Sequence, residues 1–240
     1  MKDIIQKSLS KTQTTSTRGV EQILLKKLPE QSPLNLAQAW DLSSYGLENV
    51  SCLHKISSEQ STLLHTQLAR GRFLEAYHIE HAGMCFAAKM SLLAESLHEQ
   101  KLFSLFAAEE ATHFHFIESV IGTPQIEKDP FIDLLHEIIR SAERRPLIFI
   151  IQVILEGWGL DHYGLMKKTC QNPDLQNYLQ RILQDEAAHH GSGLSLFQEQ
   201  DLTPSEFDYI QEMLVQFLNM VRIGPISVIQ TLENTVGVMS

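Results

Sequence analysis

Four glutamates of this chain stand at matched intervals. Glu80 precedes Glu110 by thirty residues, and Glu156 precedes Glu186 by the same thirty. The second member of each pair opens a Glu-x-x-His string, Glu110-Ala-Thr-His113 and Glu186-Ala-Ala-His189. Turn signals fall midway between both pairs. Ser96-Leu97-His98-Glu99 has capping-box spacing, and Asn172-Pro173 reads as an N-cap followed by Pro in the first helical turn. Helices joined by a short turn run antiparallel, so residues equidistant from the turn share one height. Glu80 and Glu110 would each sit about 22 Å from theirs. The pattern therefore predicts two helical hairpins with arms of equal length, which pair into a four-helix bundle.

The rest of the chain supplies helices around that core. Residues 1–20 are polar and rich in Ser and Thr, and read as a flexible tail; residues 21–240 read as one helical domain. Ser32-Pro33 could start a short helix. Ser57-Ser58-Glu59-Gln60 opens a long helical pattern that Gly71 is expected to interrupt, and Arg72 to about Ala94 carries Glu80. Asp129-Pro130 starts a helix expected to end near Arg145. A buried helix follows from Pro146 to about Cys170 with Glu156 on it, and Thr203-Pro204-Ser205-Glu206 caps another that runs to about Arg222, before Gly224-Pro225. No strand-like alternation stands out, so the fold class is all-α, with additional N-terminal, crossover and C-terminal helices.

Composition narrows the function. A net charge of −10 weighs against nucleic acid, which needs a basic face. Cys52, Cys85 and Cys170 are scattered and form no Cys-x-x-Cys, which suits reduced thiols in the cytoplasm. The most apolar run, Leu147 to Leu155, is broken by Gln152 and too short to span a bilayer.

Glu-x-x-His places both side chains on one helix face, one turn apart, where a single metal ion can take both. Two further matches, Glu75-Ala-Tyr-His78 and Glu95-Ser-Leu-His98, are treated as decoys: the first lies about 140° around the helix from Glu80, the second at the expected turn. The candidate metal ligands are thus Glu80, Glu110, His113, Glu156, Glu186 and His189. Oxygen-rich ligation of this kind suits iron or manganese more than copper or zinc. The plainer alternative is an acidic helical bundle whose spacing is coincidental. Gly83 and Gly159 each stand three residues after a lone Glu. With Gly157 and Gly164 they either leave room beside the site or serve close helix packing. Met84, Phe86, Phe114, Phe116, Trp158 and Leu160 are candidates for an apolar pocket, at least half of them being plain core. His81, His115, His162 and His190 flank the ligands as outer-sphere or surface groups. Tyr77 and Tyr163 could donate hydrogen bonds there.

This pattern resembles the ferritin-like superfamily of carboxylate-bridged non-haem di-iron proteins, over roughly residues 72–200. The resemblance implies a ferritin-like four-helix bundle holding two Fe ions, with Mn or mixed Mn/Fe also compatible. Glu110 and Glu186 would bridge, Glu80 and Glu156 would be terminal, and His113 and His189 would hold one ion each. It also implies that Asp185 accepts a hydrogen bond from His113, and Glu109 one from His189. Departures narrow the branch. Ile117 replaces the radical Tyr of ribonucleotide reductase small subunits, Ile182 replaces the extra His of arylamine oxygenases, and the rubredoxin Cys-x-x-Cys of rubrerythrin-type peroxidases is missing. The surplus helices are similar to those that wall the pocket of oxygenases. The resemblance therefore implies a cytoplasmic oxidoreductase, an oxidase or monooxygenase that activates O2 against a small, largely apolar substrate. It would draw electrons from a ferredoxin or flavin reductase, act without nucleic acid or membrane, and could be a homodimer. The alternatives are a ferroxidase, iron-handling or peroxidase protein, and a non-catalytic helical interaction module.

Overall fold

The computed structural model of the chain describes residues 1–10, 18–29, 34–122, 130–198, 202–221 and 226–237. Among the described residues every regular element is helical. Two short helices, α1 (Lys2–Leu9) and α2 (Arg18–Leu25), precede three 3-10 turns at Leu36–Gln38, Leu42–Tyr45 and Ser51–Lys55. The core helices are α3 (Ser58–Leu93), α4 (Leu97–Ile121), α7 (Glu156–Thr169) and α8 (Pro173–Leu196). Between the hairpins lie α5 (Pro130–Ser141), α6 (Arg144–Leu147) and a π-helical segment, Ile148–Leu155, that runs into α7. The chain closes with α9 (Pro204–Val221) and α10 (Ile226–Val236).

The caps read from the sequence are formed. Ser57 Oγ accepts from the Gln60 amide at 3.1 Å while the Ser57 amide donates to Gln60 Oε1 at 3.0 Å. Ser96 and Asn172 accept from the amides of Glu99 and Leu175 and open α4 and α8. Thr203 and Glu206 cap each other reciprocally at the start of α9. α3 pairs with α4 and α7 with α8, and the two hairpins meet through α4 and α8.

Four expectations are corrected. Residues 2–9 are not a tail: Ile5 and Leu9, one turn apart, bury against α3 and α5, and that apolar pair outweighs a polar composition. Gly71 does not interrupt α3, which runs 36 residues, about 54 Å. The α5 helix ends at Ser141 rather than near Arg145; an extended Glu143 (ψ 173°) then starts α6, so Pro146 lies inside its first turn. The Pro146–Cys170 helix is helical throughout, but its first part is π rather than α. The expected starts at Ser32-Pro33 and Asp129, and the ends at Arg222 and Gly224-Pro225, lie outside the described residues.

Two apolar clusters flank one polar layer. On α3, Ala69 to Tyr77 join one cluster and Ala82 to Met90 the other, with Glu80 between them. On α4, Phe103 and Phe106 fall on one side of Glu110 and His113, Phe116 and Ile117 on the other. Glu156 is likewise preceded by Ile150 and Ile151 in the first cluster and followed by Tyr163 and Met166 in the second.

A buried lysine finishes α5. Lys89 Nζ donates to the main-chain oxygens of Ile139 (2.8 Å) and Ala142 (2.7 Å), two carbonyls a helix end leaves open. Lys89→Met keeps the stem and strands both carbonyls. It is expected to cost about 2–4 kcal/mol, read as a lower urea midpoint at unchanged slope.

Candidate metal centre

The six residues singled out by spacing converge in the polar layer. One ligand atom from each of Glu80, Glu110, His113 and Glu186 lies within 4.8 Å of the others, and the same holds for Glu110, Glu156, Glu186 and His189. Glu110 and Glu186 belong to both groups; Glu80 with His113, and Glu156 with His189, belong to one each. Both imidazoles turn Nδ1 inward. His113 Nδ1 is 3.2 Å from Glu80 Oε2 and 3.4 Å from Glu186 Oε1, and His189 Nδ1 is 3.2 Å from Glu110 Oε1.

An outer ring fixes these side chains. The Nε2–H of His113 donates to Asp185 Oδ2, and that of His189 to Glu109 Oε2, both at 3.0 Å. Asp185 and Glu109 thus each reach an imidazole of the opposite hairpin. Tyr163 O–H donates to Glu80 Oε1. Of the two tyrosines considered, Tyr163 reaches the cluster, while Tyr77 packs on Phe114 at 4.7 Å between ring centroids.

The approach of α7 depends on the π-segment. There the Glu156 amide donates five residues back, to the carbonyl of Ile151, and the widened turn presents Gln152 to α8. The fully buried Gln152 amide donates to His189 O (3.2 Å) and Ser192 Oγ (3.0 Å). His190 Nδ1–H donates to the Gln152 carbonyl at 3.0 Å. A Cβ on Gly193 would stand 2.5 Å from Gln152 Cβ. Gln152 and Gly193 carry no motif in the sequence and were not anticipated.

Burial, then the Glu186 charge, raise the carboxyls of Glu110 and Glu156 well above the usual range. Burial works the same way on Glu186, but hydrogen bonds from Glu156, His113 and His189 outweigh it and hold that carboxyl low. Burial opposes charge on His189, yet hydrogen bonds to Glu110 and Glu186 push it up to about 11. His113 is raised too: bonds to Asp185, Glu186 and Glu80 overcome its burial. No Lys or Arg pairs with the six among the described residues. Four clustered carboxylates, three buried and Glu156 half-buried, have the two imidazoles as their basic partners among the described residues and suit cations: two divalent ions would balance four negative charges, and the imidazole nitrogens complete an oxygen-rich donor set.

A cavity of about 60 Å³ opens on this cluster, lined by Glu80, Glu110, Glu156 and Glu186 at one end and by apolar groups including Ile79, Leu135, Ile151 and Leu155. It lies between α3, α5 and α7. Of the six aromatic or apolar candidates, Trp158 lines it; Phe86 and Phe116 are core, and Phe114 packs on the second cluster. The glycines divide. A Cβ on Gly83 would stand 2.9 Å from the Glu110 carboxyl, a close-packing role, whereas Gly159 faces open space on the cavity wall. His162 lines the cavity and His81 stacks on Phe114 at 5.4 Å; neither His81, His115, His162 nor His190 joins the six. The decoy pairs Glu75–His78 and Glu95–His98 lie outside both ligand groups. The chain matches no protein-family model, no curated protein and no solved structure. No described helix is long and apolar enough to cross a membrane.

Proposed function

We propose that this chain is a ferritin-like di-iron protein acting as an O2-dependent oxidase or monooxygenase on a small, largely apolar substrate. The observation that carries the reading is a single one: four Glu that cluster with two buried His line an apolar cavity. Glu110 and Glu186 would bridge two ions; Glu80 with His113, and Glu156 with His189, would complete one ion each. When bound, a reduced iron pair supplies the electrons that activate dioxygen, with a ferredoxin or flavin reductase restoring them. Dioxygen, two electrons and two protons would then convert a substrate C–H into an alcohol and water.

The protein's own groups have defined tasks in this reading. Asp185 and Glu109 hold the imidazoles with Nδ1 inward. Tyr163, kept protonated by burial and then by the Glu80 charge, holds a proton on the Glu80 oxygen at the cavity wall. Ile79, Leu135, Ile151 and Leu155 exclude water from the space in which substrate would lie.

Anaerobic loading with Fe(II) is expected to give two irons per chain, and admission of oxygen an absorbance change. Less than one iron per chain with no oxygen-dependent change would sink the proposal. A hollow cage on gel filtration with mineral uptake would replace it by iron storage.

A further inference from the structure

One polar group on the cavity wall is left unsatisfied. His162 lines the cavity one turn of α7 beyond Trp158, their rings 6.1 Å apart. Its Nε2 is buried and has no hydrogen-bond partner among the described residues. Buried ring nitrogens are ordinarily paired, so this one has room for a ligand atom. Glu75 and Trp158 are the exposed members of the lining, which puts the mouth of the cavity beside them. His162 thus stands next to the mouth, in the same space that Glu80, Glu110, Glu156 and Glu186 line.

Size and charge limit what can enter. An apolar cavity of about 150 Å³ holds benzene, so one of about 60 Å³ holds in proportion about two or three heavy atoms. Five glutamates line it and no Lys or Arg does, among the described residues, which repels an anion. An ammonium would shed its water between apolar walls such as Ile79, Leu135, Ile151 and Leu155, where four of the five carboxylates are already engaged with one another and with two imidazoles. A neutral molecule meets neither cost. Burial, and then the charge of Arg72, hold the His162 imidazole neutral, and a neutral ring nitrogen donates in one tautomer and accepts in the other. A hydroxyl group can answer both.

We propose that the cavity takes a neutral one- or two-carbon alcohol, its hydroxyl on His162 Nε2 and its carbon in the space lined by the glutamate cluster. This names a substrate class for the oxidase reading, on which turnover of the bound alcohol rests; binding itself does not depend on it.

The test uses the full-length protein as purified, with metal content measured on the same sample. Ethanol, ethylammonium and 1-hexanol are titrated, and binding is read by saturation transfer from protein to ligand protons. Ethanol should saturate with a millimolar Kd, the ceiling for a ligand of about three heavy atoms. Ethylammonium has the same shape with a charge and should bind at least about tenfold more weakly. The four extra methylenes of 1-hexanol would tighten binding to an open apolar surface by more than about 100-fold. Here the gain should stay under about threefold. His162→Leu keeps the bulk without the nitrogen and should weaken ethanol about fivefold at an unchanged or raised melting point, since Nε2 has no protein partner to lose. Absence of saturable ethanol binding, a larger gain for 1-hexanol, ethylammonium equal to ethanol, or unchanged ethanol affinity in His162→Leu each overturns the site. Ethanol binding by a protein that loads no iron would sink the oxidase reading and leave the alcohol site standing. Two irons per chain without ethanol binding would do the reverse.

Discussion

Glu110→Gln is expected to empty the centre while leaving the metal-free fold at least as stable. Glu110 belongs to both ligand groups, with one oxygen 3.2 Å from His189 and the other 3.9 Å from His113. The amide has the same shape but carries no charge and offers one oxygen instead of two. Loss of an outer-sphere partner alone costs roughly 10–100-fold in metal affinity, so loss of a shared ligand should cost at least about 100-fold. Metal content should fall from two ions to under one per chain. In the metal-free protein the sign reverses: the Glu110 carboxyl, raised by burial and then by the Glu186 charge, must take up a proton on folding at neutral pH, and an amide need not. The thermal midpoint of EDTA-treated Glu110→Gln should equal or exceed that of treated wild type. A purely structural polar network would respond otherwise, losing stability on substitution with or without metal. That result, from metal analysis and thermal unfolding, would refute the two-ion reading.

Gly193→Ala should destabilise the protein, although Gly→Ala inside a helix ordinarily stabilises by about 0.5–1 kcal/mol. Gly193 is buried in α8, and the added methyl would stand 2.5 Å from Gln152 Cβ and 3.1 Å from its carbonyl carbon. Backbone cannot swing aside as a side-chain tip can, so α8 and the π-segment must separate. Overpacking of this kind costs about 1–3 kcal/mol. At this chain length each kcal/mol lowers the melting point by about 2–4 °C. Because Gln152 also holds the His189 carbonyl and His190, metal affinity should fall with stability. An unchanged or raised melting point would show that the contact relaxes without cost.

The hairpins and the convergence of the Glu/His cluster were legible because their signals are local and periodic. Ser57, Ser96, Asn172 and Thr203 are caps, and a cap declares itself within four residues. Glu-x-x-His obeys the helical repeat, and an equal interval on either side of a turn sets height. What escaped depends on partners far along the chain. Ile148–Leu155 is as apolar as any buried α-helix, and nothing within it signals the wider turn that seats Gln152 against Gly193. Lys89 reads as a surface residue until the end of α5 is set above it. Residues 2–9 looked like tail because Ser and Thr nearby hid the Ile5–Leu9 pair. The phenylalanine candidates for the pocket, unlike Trp158, failed for a related reason: nearness to a ligand in sequence does not say which helix face points at the cavity, and Phe86 and Phe116 point into the two cores.

The Tyr163 hydroxyl on Glu80 breaks the dyad that the repeated sequence suggests. Seven residues after Glu156 stands this tyrosine, whereas seven after Glu80 stands Ala87, buried in the apolar core with a methyl and no donor. The candidate site is therefore asymmetric: a phenol polarises the Glu80 carboxylate of one ligand group. Ions placed in the two halves would not be degenerate. They would fill in sequence, with separate affinities, and carry separate spectroscopic signatures.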